Sequence, residues 1–260
     1  MKPWIALFCL FACPVAAAEI SPDDLARIPA ADVVILGEVH DNEQHHQTQA
    51  LAMGLVKPKA VVFEMLTADQ AEIARSDAAK AWADSGWGDF DLYAPIFKAA
   101  PQATIYGANL PRAQLKAAVA QGAPSSFGAE AARYGLADAL PPEDQAAREA
   151  EQAAAHCNAL PADLLPGMVQ AQRLRDAALA RSVVQAMAET GGPVVVITGS
   201  GHARKDQGVP AVLALAAPSL SVVSVGQLES DPGPDAPYDF WIVTPPQPRD
   251  DPCSGLAAQG

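Results

Sequence analysis

The sequence predicts an α/β fold with a mainly parallel sheet flanked by helices, and with a helical insertion subdomain before the fourth strand. Short apolar runs of mostly β-branched residues recur at 33–36, 60–63 and 193–198, as in strands that a parallel sheet buries on both faces. Segments of helical character separate these runs, as the crossover connections between parallel strands require. Half of the 260 residues are apolar, which is enough to bury the core of one domain with an insertion, or of two closely joined domains.

The first apolar run, Val33–Leu36, is followed by Gly37, where we expect the strand to end and the backbone to turn. Three of the five histidines follow directly, namely His40, His45 and His46. Asp41 or Asn42 is placed to cap a helix that continues through Leu55, so its free N–H groups face the same place as the imidazoles. In an open α/β sheet this place is the carboxyl edge, where ligands usually bind.

A similar pattern occurs near the other end of the chain. The strand predicted at 193–198 leads into Gly199-Ser200-Gly201-His202, so two strands each end in Gly-x-x-His. The run Ala60–Phe63 ends in Glu64. Because parallel strands end at one edge of a sheet, we expect four side chains to lie together there: Glu38, His40, Glu64 and His202. The alternative interpretation is that each histidine only satisfies polar groups of its own loop.

An aromatic cluster follows the predicted helix Asp69–Ala81. It consists of Trp82, Trp87, Phe90 and Tyr93, in a chain with only 6% aromatic residues. Such clusters usually pack in the core. The alternative is an apolar wall for a flat ligand, with Tyr93 as a phenolate. The next strand, 103–108, leads to Asn109 and Arg112 at the carboxyl edge, and a helix follows from Arg112 to Ala120.

The insertion, at about residues 128–190, is rich in Ala, Gln, Arg and Glu and has almost no β-branched run. Its predicted long helices are Glu143–Cys157 and Leu164–Ala188. His156 and Met168 have ligand chemistry, although a methionine in such a helix usually fills core space. Beyond the insertion and His202 we expect a helix through Leu215, strands at 221–226 and 240–243, and an extended Pro-rich tail.

The first residues are typical of a secretory signal. Lys2 precedes an apolar run, Trp4 to Phe11, that is too short to cross a bilayer, and the small residues at 16–18 suit cleavage. We therefore expect an exported protein, periplasmic or lipid-anchored in the cell envelope, with residues 1–18 removed and residues 19–260 as the mature domain. The alternative is a lipoprotein that starts at Cys13, because Leu10-Phe11-Ala12-Cys13 is an imperfect lipobox.

Charge and cysteine content narrow the class of protein. Removal of residues 1–18 takes away Lys2 and no acidic residue, which leaves 16 Lys and Arg against 30 Asp and Glu, a net charge of −14. Such a surface repels nucleic acid and anionic lipid.

Cys157 and Cys253 remain after removal of the signal, and two cysteines in an exported protein favour a disulfide, here between the insertion and the tail.

Four motifs resemble, in the same order, those of the ChaN-like haem-binding proteins of the Tiki superfamily. They are Leu36-Gly37-Glu38-Val39-His40-Asp41-Asn42 with His45-His46, then Phe63-Glu64-Met65, then Asn109-Leu110-Pro111-Arg112, and then Gly199-Ser200-Gly201-His202-Ala203-Arg204. The resemblance covers about residues 32–243. It implies the EreA/ChaN-like fold and an envelope protein for haem and iron uptake, often a lipoprotein, which forms a homodimer around stacked haems. An outer-membrane haem receptor is then the expected partner.

Haem binding requires a slot with apolar walls, an axial His or Tyr, and cations for the two propionates. We expect this pocket to lie between the carboxyl edge of the sheet and the helical insertion. The candidates for cofactor binding are Tyr93, His156, His202, Arg204, Met168, Arg173, His40 and His45, of which Tyr93, His156 and His202 are the candidate axial ligands. Arg112, Arg175 and Lys205 are further cations. The sequence contains no Cys-x-x-Cys-His, which excludes covalent c-type haem.

The alternative function is a metal-dependent hydrolase, since distant members of the superfamily, the Tiki proteases and erythromycin esterases, are hydrolases. In this interpretation Glu38, His40, Glu64 and His202 hold a divalent metal ion that activates water. The sequence lacks a Gly-x-Ser-x-Gly elbow and Gly-rich phosphate loops, so an α/β-hydrolase mechanism and nucleotide binding are disfavoured. We favour haem binding over enzymatic activity.

Overall fold

The computed structural model describes residues 17–251 and 253–254. Within these residues seven strands form one sheet, and every neighbouring pair is parallel. The strands are β1 (Ala18–Glu19), β2 (Val33–Glu38), β3 (Ala60–Phe63), β4 (Thr104–Gly107), β5 (Val194–Gly199), β6 (Val222–Leu228) and β7 (Phe240–Val243). Their order across the sheet is β1-β7-β6-β2-β5-β3-β4, so β2 is central, between β5 and β6. All residues of β2 are buried, as a strand in the middle of a parallel sheet must be.

The α-helices are α1 (Glu43–Val56), α2 (Ala68–Ala74), α3 (Ala78–Ala83), α4 (Phe90–Ala99), α5 (Arg112–Gln121), α6 (Ala123–Phe127), α7 (Pro142–Ala155), α8 (Leu165–Thr190) and α9 (Val209–Ala216). Short 3-10 helices span Pro22–Arg27 and Ala162–Leu164. None of the helices in the described part of the chain is long and apolar enough to cross a membrane.

Two local predictions were wrong. The helix expected at 69–81 is divided into α2 and α3, because the Asp77 side chain caps α3 by accepting a hydrogen bond from the Lys80 N–H. The strand β2 does not end at Gly37: it continues to Glu38, which pairs with Gly199 of β5. Gly37 is needed because β2 approaches Ser200 closely at this point, and not because the chain turns there.

The sheet separates two apolar layers, because side chains alternate between its faces along each strand. In β2, Val34 and Leu36 pack with α1 and the helices α2 to α4, whereas Val33 and Ile35 pack with α5, α6, α8 and α9. Burial of each such aliphatic side chain stabilises the fold by about 1.5–3 kcal/mol. The carboxyl edge of the sheet is thereby held in place from both faces.

The predicted insertion contains two helices with different roles. The helix α8 contacts β3, β4 and β5, and its residues Leu174, Leu179 and Val183 are fully buried, so α8 belongs to the main core. The helix α7 has no buried residue and packs on α8. Only α7 and its adjoining loops therefore form an outer cover.

The C-terminal strap, residues 244–251 with Cys253, runs from the end of β7 to the end of α7. Asn42 Nδ2 donates a hydrogen bond to the carbonyl of Pro245, and Arg249 forms ion pairs with Asp41 and Glu229. Cys253 is bonded to Cys157, which confirms the predicted disulfide. The strap thus connects the loop after β2 with the cover helix α7.

Candidate functional site

The two Gly-x-x-His motifs lie side by side at the carboxyl edge, because β2 and β5 are neighbours. Each glycine makes room for a residue of the other motif. A Cβ on Gly37 would lie 2.8 Å from Ser200 Oγ, and a Cβ on Gly199 would lie 3.1 Å from His40 Nε2. Both distances are shorter than ordinary van der Waals contact. The repeated motif therefore has a packing function in addition to any chemical one.

Glu38 is the central acceptor of the first half of the site. Its buried carboxylate accepts hydrogen bonds from His40 Nδ1 at 2.7 Å, from Gln49 Nε2 at 2.7 Å and from the Tyr93 hydroxyl. Burial alone would raise the pKa of Glu38, but His40 and the nearby His46 lower it to about 2. The ionised carboxylate fixes the His40 ring with Nδ1 directed inwards. The His40 side chain is 35% exposed, and its Nε2 lies next to Gly199 at the end of β5.

His202 and Glu64 form the second half of the site. His202 Nδ1 donates to Asp176 Oδ1 at 2.7 Å, and its Nε2 lies 3.5 Å from Glu64 Oε1. The other oxygen of Glu64 accepts hydrogen bonds from the Gly199 N–H at 2.8 Å and from Thr198 Oγ1 at 2.7 Å. Burial alone would lower the pKa of His202, but Glu64 and Asp176 raise it to about 9. At neutral pH His202 is therefore an imidazolium held between two carboxylates.

The two remaining histidines of the first motif are buried. His45 Nδ1 accepts a hydrogen bond from the Val39 N–H at 2.9 Å, so Nε2 carries the proton and donates to Thr244 Oγ1 at 2.8 Å. Burial lowers the pKa of His45 to about 4, which keeps the ring neutral. The cofactor role predicted for His45 would require one of these bonds to break. His46 stacks on Tyr93, with 4.1 Å between ring centroids.

Most of the aromatic cluster packs in the core. Trp82 and Tyr93 are each 1% exposed. Burial and the Glu38 carboxylate raise the pKa of the Tyr93 phenol far above its ordinary value. The phenolate role predicted for Tyr93 would therefore require the loss of its bond to Glu38. Trp87, by contrast, is partly exposed and contacts His40 edge to face, with 4.7 Å between ring centroids.

A match to a known family covers most of the chain. The family described as haem-binding uptake, Tiki superfamily, ChaN matches residues 25–213, a range that contains β2 and β5, both Gly-x-x-His motifs and Glu64. This chain belongs to the ChaN family. The match confirms the family that the motifs predicted from sequence. No curated protein matches the chain.

Among solved structures, ChaN of Campylobacter jejuni is similar to this ChaN-family protein over 83% of this chain and 89% of its own, with 19% identity and a TM-score of 0.62. That structure is described as showing cofacial haem binding to ChaN. At this identity the similarity shows a shared fold. The type III effector HopBA1 (13% identity, 87% of this chain and 94% of its own, TM-score 0.47) and a succinoglycan biosynthesis protein (12%, 80% and 68%, 0.45) are more distant and carry no functional argument.

A cavity of about 110 Å³ lies between α7, α8 and the loop that carries His202. Arg148, Gln172, Asp176 and Gly201 also line it. Cavities that enclose a ligand of drug size have volumes of about 300–1,000 Å³. The cavity is therefore too small to enclose haem in this arrangement of α7, although it lies where the sequence predicted a pocket.

Most of the predicted cations of this ChaN-family protein have partners already. Arg173 donates to the carbonyls of Gly135 and Asp138, Arg204 pairs with Asp206 and Glu151, and Lys205 pairs with Asp239.

The other two ligand candidates, His156 and Met168, belong to α7 and α8. His156 ends α7, with Nδ1 donating to the carbonyl of Gln152 at 2.8 Å, and Met168 is half-buried in α8.

Sequence reasoning missed Arg148 and gave no specific role to Asp176, which it noted only as part of the run Gln172–Asp176 that could do more than pack. Asp176 holds His202, and Arg148 lines the cavity beside it. Both are charged residues in helices with many other charged residues, and no motif distinguishes them. Only the packing of α7 and α8 beside β5 shows their relation to His202.

The metal interpretation gains no support. In residues 17–251 and 253–254, no group of three or more His, Cys, Asp or Glu side chains is arranged to hold a metal ion. His40 and His202 direct their Nδ1 atoms towards two different carboxylates, Glu38 and Asp176.

Proposed function

We propose that this protein binds haem at the carboxyl edge of its sheet, as part of haem uptake, with His40 as the axial ligand. The choice of His40 rests on one observation: its Nδ1 is hydrogen-bonded to the ionised Glu38, while its side chain remains 35% exposed. Histidines that bind metals usually donate their other ring N–H to a carboxylate or carbonyl in this way. Family membership and the haem complex described for Campylobacter jejuni ChaN support haem as the ligand.

His202 is less suited to bind iron directly. Its Nε2 lies 3.5 Å from Glu64 Oε1, so iron would have to displace this contact. Its side chain is also only 13% exposed. We propose that His202 contributes positive charge beside the haem and does not bind the iron.

The small volume of the enclosed cavity favours binding on the open side of the edge. There the exposed face of His40 adjoins Trp87, which supplies an apolar wall of the kind a porphyrin requires. Arg148, which lines the cavity beside His202 and forms no ion pair among the described residues, is the proposed partner for a propionate. Trp87 and Arg148 thus replace Tyr93 and Arg173 as proposed haem contacts.

Export, a receptor and a dimer are further parts of this proposal. The apolar run of the signal and Cys13 lie in residues 1–16, which are outside the described residues, whereas Ala18 of β1, after which cleavage was expected, pairs with Phe240 of β7. Cleavage after Ala18 and lipid attachment at Cys13 are the two proposed forms. A homodimer around stacked haems and an outer-membrane haem receptor are proposed from the family resemblance, and the cofacial haems of the Campylobacter jejuni protein support the first.

A haemin titration tests the proposal. The wild-type protein is expected to give a shifted Soret band that saturates at a simple stoichiometry. His40→Ala is expected to lower the affinity at least about tenfold and to change the band, because the axial ligand is lost. His156→Ala is the matched control, since His156 is also partly exposed but bonds only within its own helix. Absence of a shift in the wild type contradicts haem binding. An unchanged spectrum in His40→Ala contradicts the axial assignment.

A further inference from the structure

A second cavity, of about 260 Å³, lies on the α1 face of the sheet. It is bounded by the 3-10 helix Pro22–Arg27, by α1, and by residues at the starts of β2 and β5. Its lining residue nearest to Glu38 along β2 is Leu36, two positions before it, or about 7 Å at the usual rise of a strand. None of its lining residues belongs to the histidine site or to the first cavity, so it is a separate cavity, and it is larger than the first.

The side chains that line the cavity are all apolar. The twelve lining residues include Leu25, Ile28, Val34, Ala52, Leu55 and Val56. The polar groups of the lining belong to the backbone, so no lining side chain is placed to orient a polar ligand. Leu55 lines the cavity although it is 52% exposed, so a ligand that covers it gains further apolar contact. The volume is below that of common drug-sized sites, which favours a slim, unbranched hydrocarbon chain.

Two lysines adjoin one end of the cavity. Lys57 directly follows the lining residue Val56, and the Lys59 N–H donates to the carbonyl of Pro193, another lining residue, at 2.9 Å. Neither lysine forms an ion pair among the residues that the structure describes. Asp24 and Asp32 also adjoin lining residues in the chain, but Asp24 is bonded to Ser21 and Arg27, and Asp32 to Ser221. In a chain with a net charge of −13, the two lysines close to the lining therefore favour an anionic headgroup.

We propose that this cavity binds a fatty acid, with its hydrocarbon chain among the apolar residues and its carboxylate beside Lys57 and Lys59. The proposal does not depend on haem binding, because the two sites lie at different places on the sheet. It predicts that affinity depends on the length of the hydrocarbon chain, and separately that it depends on the carboxylate.

Displacement of cis-parinaric acid from the purified protein by saturated fatty acids of increasing length tests the first prediction. The affinity is expected to rise about fourfold with each added methylene until the cavity is full, and then to level off. Fatty alcohols of equal length are expected to bind more weakly. Replacing both lysines, with Lys57→Gln and Lys59→Gln, is expected to remove the difference between acid and alcohol. Absence of a chain-length dependence, or an unchanged preference for the acid in the lysine variant, would overturn the proposal.

Two exposed leucines on α1 provide a matched pair. Leu55 and Leu51 are 52% and 56% exposed, but only Leu55 lines the cavity. Leu55→Gln is expected to weaken fatty acid binding about threefold to tenfold, and Leu51→Gln to leave it unchanged. Ala26→Phe, at an exposed lining position, is expected to narrow the cavity and lower the affinity at least about tenfold without disturbing the core. Equal effects of the two leucine variants would show adsorption to the surface and overturn the site.

Discussion

At the residue scale, Glu38 and Asp176 show how the site keeps charge in the interior. A buried carboxylate is costly unless it is hydrogen-bonded and paired. Glu38, which is 2% exposed, accepts hydrogen bonds from three side chains, and Asp176, which is 6% exposed, accepts one from His202. The rings of His40 and His202 are therefore oriented before any ligand arrives.

The His202 pair predicts a pH dependence of stability. The pKa of His202 rises from 6.5 to about 9 on folding, despite the opposing effect of burial, because of Glu64 and Asp176. A raised pKa contributes stability that is fully present below pH 6.5 and is lost as the pH rises through about 9. The free energy of unfolding is expected to fall by about 1–3 kcal/mol over this range. Urea denaturation at several pH values measures the free energy of unfolding, and His202→Gln is expected to reduce its dependence on pH. The same pH dependence in the wild type and in His202→Gln would show that His202 is not its cause.

The contact between Gly199 and His40 predicts an effect on the ligand site. Gly199→Ala places a methyl group against His40 Nε2 and is expected to turn the ring, with about a tenfold loss of haemin affinity. Gly201→Ala is the control, because a Cβ there meets no atom within 4 Å. Haemin titrations of the two variants, with melting temperatures to confirm folding, make the comparison. Similar affinities in both would show that the close contact is unimportant for binding.

The meeting of His40 and His202 could be predicted from sequence because parallel strands end at one edge. The role of His45 could not. Its ring nitrogens are satisfied by Val39, six residues before it, and by Thr244, 199 residues after it. A sequence shows that a histidine is near a site, but not which of its nitrogens are occupied.

At the element scale, the start of α1 joins three parts of the chain through one side chain. Asn42 Oδ1 caps the helix by accepting from the Gln44 N–H at 3.0 Å. Its Nδ2 donates to Glu229 Oε1 at 2.8 Å and to the Pro245 carbonyl at 3.2 Å. The helix cap and the C-terminal strap therefore depend on the same residue.

Asn42→Ala is accordingly expected to cost about 2–3 kcal/mol, more than an ordinary helix cap, because Glu229, the buried Thr244 and the Pro245 carbonyl also lose hydrogen bonds. Asp89→Ala is the control: Asp89 caps α4 through the Asp91 N–H and is exposed, so we expect about 1 kcal/mol. Chemical denaturation gives both values. Equal losses would mean that the contacts of Asn42 with Glu229 and the strap add nothing.

Helix composition predicted α7 and α8 to within a few residues, because Ala, Gln, Arg and Glu favour helices and the apolar spacing was clear. It did not predict that the two helices differ in burial. The apolar residues of α8 match the faces of three strands, whereas α7 packs mainly on α8 itself. That difference depends on tertiary contacts, which composition does not contain.

At the scale of the whole molecule, the Cys157–Cys253 bond connects residues 96 positions apart. In the chain-entropy model a loop of this length stabilises the fold by about 4–5 kcal/mol. We expect no reactive thiol under native, non-reducing conditions and a lower melting temperature after reduction. The double variant with Cys157→Ser and Cys253→Ser is expected to melt at the lower temperature with or without reductant. Two reactive thiols in the native protein would refute the bridge.

The parallel sheet and the position of both Gly-x-x-His motifs at its carboxyl edge were predictable, since buried β-branched runs separated by helices permit few other arrangements. The order of the strands was not. β1 is only Ala18–Glu19, too short to be recognised in sequence, and it is held by β7 at the sheet margin. Which strand adjoins which depends on how the helices cover both faces.

The position of β2 between β5 and β6 also bears on how the chain is made. β2 emerges early in synthesis, but its two neighbours, Val194–Gly199 and Val222–Leu228, emerge only in the last third of the chain. Until then both edges of this buried strand have no native partner, and such edges pair readily with other chains. The contacts of Gly37 with Ser200 and of Gly199 with His40 are also absent from any shorter nascent chain. The native surroundings of β2 and His40 therefore form only when synthesis is nearly complete.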